Sequence, residues 1–233
     1  MRIDCHLHTS RHSPCSLISP KRACELAIAR GLDALVITEH HQYWDEQELA
    51  TLQSRFPGIK LYSGIEIALS EGYHVVIIGP QLVQGVVPSL SLGELKTLAR
   101  DCRDELFLFV AHVFRYDPLP LPTLHRILQY CDGLEMSSIN ILRGHVTNSA
   151  VPIIPNNQSL YLQHLRNYGL TPVFNTDGHD EAAVGCIANE LDTAVLPVDE
   201  AALARLFKTC LPKQFQYRDL LIQHPLLNHP DNA

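Results

Sequence analysis

Thirteen of the 233 residues are histidine, and the chemistry open to this chain follows from where they stand. Asp4-Cys5-His6-Leu7-His8 closes one short apolar run, and Thr38-Glu39-His40-His41 closes another. Gly64-Ile65-Glu66 closes a third, with His74 just beyond it. His112 follows the run 106–111, Glu135 lies in the run 133–136, and Asp177-Gly178-His179 follows 171–175. In an extended segment residues i and i+2 point to the same side, so His6 and His8 present two imidazoles together. Taken singly, each of these side chains reads as a cap or a hydrogen-bonded surface group. Gathered at the same end of successive strands they form a nitrogen and oxygen ligand set, and burying them unpaired would be costly. Imidazole with carboxylate suits Zn, Mn or Fe, and no thiolate is needed. His125, His145, His164, His224 and His229 fall outside the pattern and read as structural or solvated.

The elements that must position these groups alternate along the chain. Strands are expected over residues 1–5, 34–38, 60–68, 73–78, 106–111, 133–136, 171–175 and 191–196. Helices are expected over 20–30, 45–56, 91–102, 123–130, 156–168 and 199–209. Ser19-Pro20 supplies an N-cap and first-turn proline for the first helix, and Gly31 its stop. Ser70-Glu71-Gly72 reads as the turn of a hairpin between the third and fourth strands. Repeated βα units favour a parallel sheet with helices outside, and about seven strands favour a closed barrel over an open sheet. The active face of such a barrel is the carboxyl end of its strands, where the ligand candidates collect. Residues 81–88 read as a loop, and the tail, about 212–233, as a surface arm from residue 223 onward. With no repeat or linker, one domain over residues 1–233 is the economical expectation.

Composition narrows the function further. Eighteen Lys+Arg against 25 Asp+Glu give a net charge of −7, which argues against binding along extended nucleic acid. No run of about 18 apolar residues is present, so no membrane span is expected. The first residues lack the pattern of a secretion signal. The seven scattered cysteines form no CxxC pair, which suits reduced thiols in the cytoplasm.

The segments Asp4–Thr9, Thr38–His40, Gly64–Glu66 with His74, Ala111-His112 and Thr176–His179 resemble the motif regions of the PHP (polymerase and histidinol phosphatase) family, in order from residue 3 to about 180. Within it the chain is most similar to small stand-alone metal-dependent phosphoesterases, which also carry the pattern seen in residues 8–16. The resemblance implies a distorted (β/α)7 barrel, TIM-barrel-like, with two or three divalent metal ions. It assigns His6, His8, Glu66 and Asp177 to one metal, and makes Glu66 a bridge to a second held by His74 and His112. His40 and His179 match ligands of a third metal, or could protonate the leaving alkoxide as catalytic residues if no metal holds them. Two departures stand out. Residues 11–16 contain no carboxylate for the third metal, leaving His12 or Cys15 to substitute or the site weak or empty, and Glu39 stands where Asp is usual.

Glu135 and Asn140 match positions common in the family and are substrate-binding candidates. Arg143 is a candidate for holding a phosphate through its planar fork, with Arg11 and Lys21 weaker ones. The implied function is hydrolysis of a phosphate ester of a small metabolite or nucleotide through a metal-activated hydroxide. Two other classes remain open: a metal-dependent hydrolase of ester or amide substrates, for which no strand-end lysine other than Lys60 is evident, and a non-catalytic metal-stabilised binding module. The oligomeric state is not legible.

Overall fold

A computed structural model describes residues 1–82, 86–114, 122–143, 153–155 and 157–228. The strands are β1 (Arg2–Leu7), β2 (Ala34–His40), β3 (Lys60–Ala68), β4 (His74–Ile78), β5 (Phe107–Val110), β6 (Gly133–Ser137), β7 (Thr171–Phe174), β8 (Ile187–Glu190) and β9 (Lys213–Gln216). The helices are α1 (Pro20–Ala29), α2 (Glu46–Arg55), α3 (Leu92–Asp101), α4 (Pro122–Leu128), α5 (Gln158–Tyr168), α6 (Glu200–Thr209), α7 (Arg218–Gln223) and α8 (Pro225–Asn228). All nine strands join one sheet in the order β7-β6-β5-β4-β3-β2-β1-β8-β9.

Local chemistry sets the helix starts. Ser19 accepts a hydrogen bond from Arg22 N ahead of α1, Asp45 accepts from Gln47 N and Glu48 N ahead of α2, and Ser91 with Glu94 forms a capping box on α3. Six strands, β1, β2, β3, β5, β6 and β7, run the same way, because β4 is antiparallel to both β3 and β5. The expected hairpin is therefore present, and it has a consequence for the site. Reversing β4 brings its first residue, His74, opposite Ala68 at the end of β3, so a residue that starts a strand still reaches the carboxyl face.

The sheet curls until β1 meets the chain just after β7. Leu7 bridges Gly178 in parallel, and His8 N donates to Gly178 O at 3.1 Å. A Cβ at Gly178 would lie 2.7 Å from Leu7 Cδ1, so glycine lets the seam close without displacing that side chain. Lower down, side-chain amides do the joining. Asn175 Oδ1 accepts from Cys5 N at 3.1 Å and Asn189 Nδ2 at 2.9 Å, while Asn189 Oδ1 accepts from Phe174 N at 2.9 Å. The fold is the expected distorted, TIM-like α/β barrel, nearly closed.

Strand alternation sorts the side chains. Ala34, Val36, Tyr62, Val76, Ile78, Phe107 and Phe109 pack with Phe207 of α6 in one core, whereas Leu35, Ile37 and Leu61 pack outward on α1 and α2. Thr171 Oγ1, at the start of β7, donates to Phe207 O at 3.4 Å, so α6 covers the amino ends of the strands. Continuing each inner row by two residues gives His40 after Val36 and Thr38, and Glu66 after Tyr62 and Gly64.

Two expectations at the carboxyl-terminal end need correction. The strand foreseen over 191–196 lies instead at Ile187–Glu190; beyond it the chain turns, with Thr193 Oγ1 accepting from Val195 N, and Val195 and Val198 are exposed. Its apolar letters imitated a strand, while the true one carries the buried amide Asn189. The tail is no surface arm within the described residues. β9 pairs antiparallel with β8, and α7 and α8 bury Leu221, His224 and Leu227. His145 and His229 lie outside the described residues, as do parts of the loop 81–88 and the tail's last residues.

Candidate metal centre

At β1 the register slips between Asp4 and Leu7, where three residues of β1 advance against two of β2. This extra residue re-aims the strand, so that Leu7 packs outward while both His6 and His8 face the barrel mouth. Their rings lie edge to face with centroids 5.1 Å apart. His112 and Asp177 complete the ring from loops after β5 and β7, with φ of 31° and 49°. Left-handed backbone at a bulky non-glycine residue is costly and is held where the surroundings dictate it.

Glu66 stands at the centre, fully buried. Its Oε1 lies 2.8 Å from His74 Nδ1 and 3.0 Å from His112 Nε2. Its Oε2 lies 2.8 Å from His40 Nδ1, 3.3 Å from His8 Nε2 and 3.5 Å from His6 Nε2. Asp177 Oδ1 sits 3.4 Å from both His6 Nε2 and His8 Nε2. All eight ligand candidates thus converge, as the strand-end pattern expected. The atoms His6 Nε2 and His8 Nε2 are buried without a hydrogen-bond partner among the described residues, and Glu66 Oε2, though close to His40 Nδ1, has no well-directed one. Orphaned buried atoms are expensive, and these face one another. Three overlapping groups could hold a cation: His6, His8 and Asp177; His6, Glu66 and His112; and His8, His40 and His179. The residues present therefore fit divalent metal ions of the nitrogen- and oxygen-preferring kind.

A layer of hydrogen bonds fixes these side chains from behind. His6 Nδ1 lies 3.0 Å from Glu135 Oε1, which also accepts from Asn175 Nδ2, and Glu135 Oε2 accepts from His112 N at 2.9 Å. This leaves Nε2 of His6 as the ligand atom. Glu135 is thus a correction to the reading as a substrate contact: both its oxygens are used behind the ligands, and it does not line the cavity. Glu39 accepts from Thr9 N, the Thr9 hydroxyl, Ser13 Oγ and Trp44 Nε1. Ser13 Oγ in turn lies 3.4 Å from His8 Nδ1 and accepts from His40 N at 3.1 Å. The longer acid is therefore accommodated as a support.

The electrostatics follow from this crowding. Burial alone would depress the His6 imidazole, but Asp177, Glu135 and Glu66 together hold it well above its ordinary value. Burial would raise Glu66 and Asp177, but His6 with its neighbouring histidines drives both carboxyls down. Burial pushes Asp4, behind the ring, up to about 7 against hydrogen bonds from Thr176 and His6. Burial and His8 lower His179, whose Nδ1 lies 2.9 Å from the Asp177 carbonyl, so Nε2 keeps its lone pair. A cation bound among these groups would compete with protons for the same imidazole nitrogens and carboxylate oxygens.

The centre opens into a cavity of about 390 Å³. Asn140 and Arg143 line it, and Asn140 Nδ2 donates to Asp177 Oδ2. The buried Nε of Arg143 has no acceptor among the described residues. The weaker candidates turn elsewhere: Arg11 pairs with Glu48, Lys21 lies 3.5 Å from Glu25, and Lys60 stands at the start of β3 over the Tyr62 ring. His12 packs edge-on against Trp44 and lies 3.7 Å from Glu48, away from the centre. Cys15 reaches the cavity but joins none of the ligand groups among the described residues. Sequence reasoning missed Asp180, Ile139, Ala183 and Leu226 as lining residues. Only Asp180 had a signal, its place directly after the Thr176–His179 segment.

Fold and site together define a metal-dependent hydrolase built on an α/β barrel. The chain belongs to the PHP domain family, whose model matches residues 4–168. Among solved structures it is similar to PsfC from Pseudomonas syringae PB-5123, with TM-score 0.65 and 17% identity over 94% of this chain and 92% of that one. It is also similar to a two-domain protein from Bacteroides vulgatus ATCC 8482 containing a predicted PHP-like metal-dependent phosphoesterase, with TM-score 0.60 and 20% identity over 93% of this chain and 64% of that one. An amidohydrolase from Chromobacterium violaceum, determined with bound sulfate and no metal, matches with TM-score 0.59 and 16% identity over 91% of this chain and 98% of that one. At such identities the likeness establishes the fold. No curated protein matches the sequence. No helix among the described residues is long and apolar enough to cross a membrane.

Proposed function

We propose that the chain is a phosphoesterase that hydrolyses a phosphate ester of a small metabolite or nucleotide. The observation that carries this reading is Arg143, whose buried Nε has no acceptor among the described residues, on the wall of the cavity that Glu66 and Asp177 also line. His6, His8, Glu66 and Asp177 would hold one cation, Glu66, His74 and His112 a second, and His8, His40 and His179 a third. Bound there, the cations would supply a water of lowered pKa and positive charge against the phosphoryl oxygens.

The remaining work falls to side chains of this chain. Arg143 faces a dianionic phosphoryl group as a bidentate donor, which fixes the phosphorus in the mouth of the cavity. Asn140 ties Asp177 Oδ2 in place, while Oδ1 lies 3.4 Å from both His6 and His8. Glu135 keeps His6 in one tautomer. In the reaction an oxygen–phosphorus bond forms from water, the ester oxygen–phosphorus bond breaks, and the leaving oxygen takes a proton. His40, 31% exposed at the rim, is the donor when no cation holds it. His179 is suited to ligation, since Nδ1 faces the Asp177 carbonyl and Nε2 keeps its lone pair.

The test is elemental analysis of the purified chain, followed by phosphate release from p-nitrophenyl phosphate and a panel of phosphomonoesters and diesters after loading with Mn²⁺, Zn²⁺ or Fe²⁺. Metal-dependent release supports the reading. Turnover of esters or lactams with no phosphate released selects the carbonyl hydrolase instead, and metal without turnover in either panel selects a binding role.

A further inference from the structure

The carboxyl-terminal segment lies outside the part of the chain that the family model matches, yet it enters the site. Leu226 of α8 lines the cavity together with Ile139 and Ala183, so one wall is aliphatic. That wall belongs to an apolar cluster with Leu142, Leu221 and Leu227, which fastens α7 and α8 to the barrel. One buried side chain connects the segment to the centre. The His224 ring accepts at Nδ1 from Leu226 N at 3.3 Å, and its Nε2 lies 3.4 Å from Asp180 Oδ1. His224 is fully buried, and Asp180 follows the candidate ligand His179 directly. The clasp therefore sets Leu226 relative to the loop that carries Asp177 and His179. Arg143, Asn140 and Asp180 belong to the polar part of the same lining, beside the candidate ligands.

We propose that the α7–α8 segment forms the leaving-group wall of the site, with Leu226, Ile139 and Ala183 receiving a compact apolar or aromatic end of a phosphate monoester whose phosphoryl group meets Arg143. This rests on the phosphoesterase reading and deepens it. A volume of about 390 Å³ lies near the lower end of those that enclose a small organic ligand, and exceeds what a phosphoryl group alone requires. A lining that holds both an aliphatic patch and a cationic group sorts substrates by their two ends. The polar end is held in common, while the apolar end discriminates through the area it removes from water.

Calorimetric binding of two non-hydrolysable probes to the metal-loaded full chain tests this without turnover. The probes are methylphosphonate and phenylphosphonate, which share the anionic head and differ in the apolar end. Wild type should bind phenylphosphonate about tenfold more tightly, the scale set by burying a small apolar group. Leu226→Ala should cut that preference by about threefold or more, weakening phenylphosphonate binding more than methylphosphonate binding. Leu226→Trp, which fills the wall, should reverse the preference, and serves as the second variant if the first melts early. Equal binding of the two probes by wild type, or a preference untouched by both variants, overturns the wall while leaving the phosphoesterase reading standing. Binding of neither probe by metal-loaded protein overturns both.

Discussion

Removing any one side chain at the centre leaves the others buried and charged, so its effects are large at the site and small in the barrel. Asp177→Ala or His8→Ala should lose at least one bound metal per chain and about 100-fold or more of any hydrolytic activity. The far-ultraviolet spectrum should stay that of wild type, because the core on the other side of the sheet is untouched. Loss of helix and strand signal in both variants would instead make the cluster a structural one. Glu135→Gln is the finer test, since it keeps the shape behind His6 but weakens the acceptor. Metal affinity should fall about 10- to 100-fold, read by competition with a chelating dye. His164 gives a residue-scale prediction away from the centre. It is buried, stacked near Phe114 and Tyr168 and edge-on to His125, and burial, with His125, lowers its pKa. The unfolded chain therefore takes up a proton near pH 6.5 that the folded chain resists. Stability from this residue is present above that value and is lost as the pH falls below it. His164→Phe should show a shallower loss of stability than wild type between pH 7 and 5 in urea melts of metal-loaded protein; parallel curves would contradict this.

Element by element, most of what positions the centre was written in short motifs. Ser19-Pro20 and the hairpin before His74 are local signals, and each appears where expected; the Ser91–Glu94 capping box is a local signal of the same kind that sequence reasoning did not use. What stayed illegible depends on partners distant in sequence. Asn189 gives β8 no strand-like pattern, because its side chain serves Ile3, Phe174 and Asn175 rather than an apolar core. Glu135 looked like a substrate contact because its type and position on the strand are the same whether it points outward at a ligand or backward at His6. The seam at Gly178 belongs to this scale too. Gly178→Ala places a methyl group 2.7 Å from Leu7 Cδ1 and 2.9 Å from Thr176 Oγ1, so these two buried side chains must shift at the seam. Overpacking of this kind costs about 1–3 kcal/mol, and here the strain falls beside His8 and Asp177. The expected result is a lowered urea midpoint together with weaker metal binding. A midpoint within error of wild type would mean that the seam yields without cost.

At the scale of the whole molecule, the barrel spends apolar burial at one end to hold an unstable arrangement at the other. α6 and the phenylalanines beneath it form a core with no polar duties, while the carboxyl end concentrates histidines and carboxylates that burial penalises. The site was legible because so many ligand types fell at strand ends; the carboxyl-terminal closure was not, since it depends on short helices whose apolar residues show no long period. The same partition predicts how the protein responds to losing its metal. A cation that binds only the folded chain stabilises it by RT ln(1 + [L]/Kd), about 2.7 kcal/mol at a hundredfold excess over Kd. For a chain of this size each kcal/mol corresponds to roughly 2–4 °C. Stripping the metal with a chelator and dialysing it away should therefore lower the melting temperature by about 5–11 °C at neutral pH, and restoring Mn²⁺ or Zn²⁺ should return it. The loss should be smaller in Asp177→Ala, which has less metal to give up. A melting temperature indifferent to the chelator, in protein shown by elemental analysis to have contained metal, would mean that the centre is already rigid and satisfied without a cation, against the orphaned atoms of His6, His8 and Glu66.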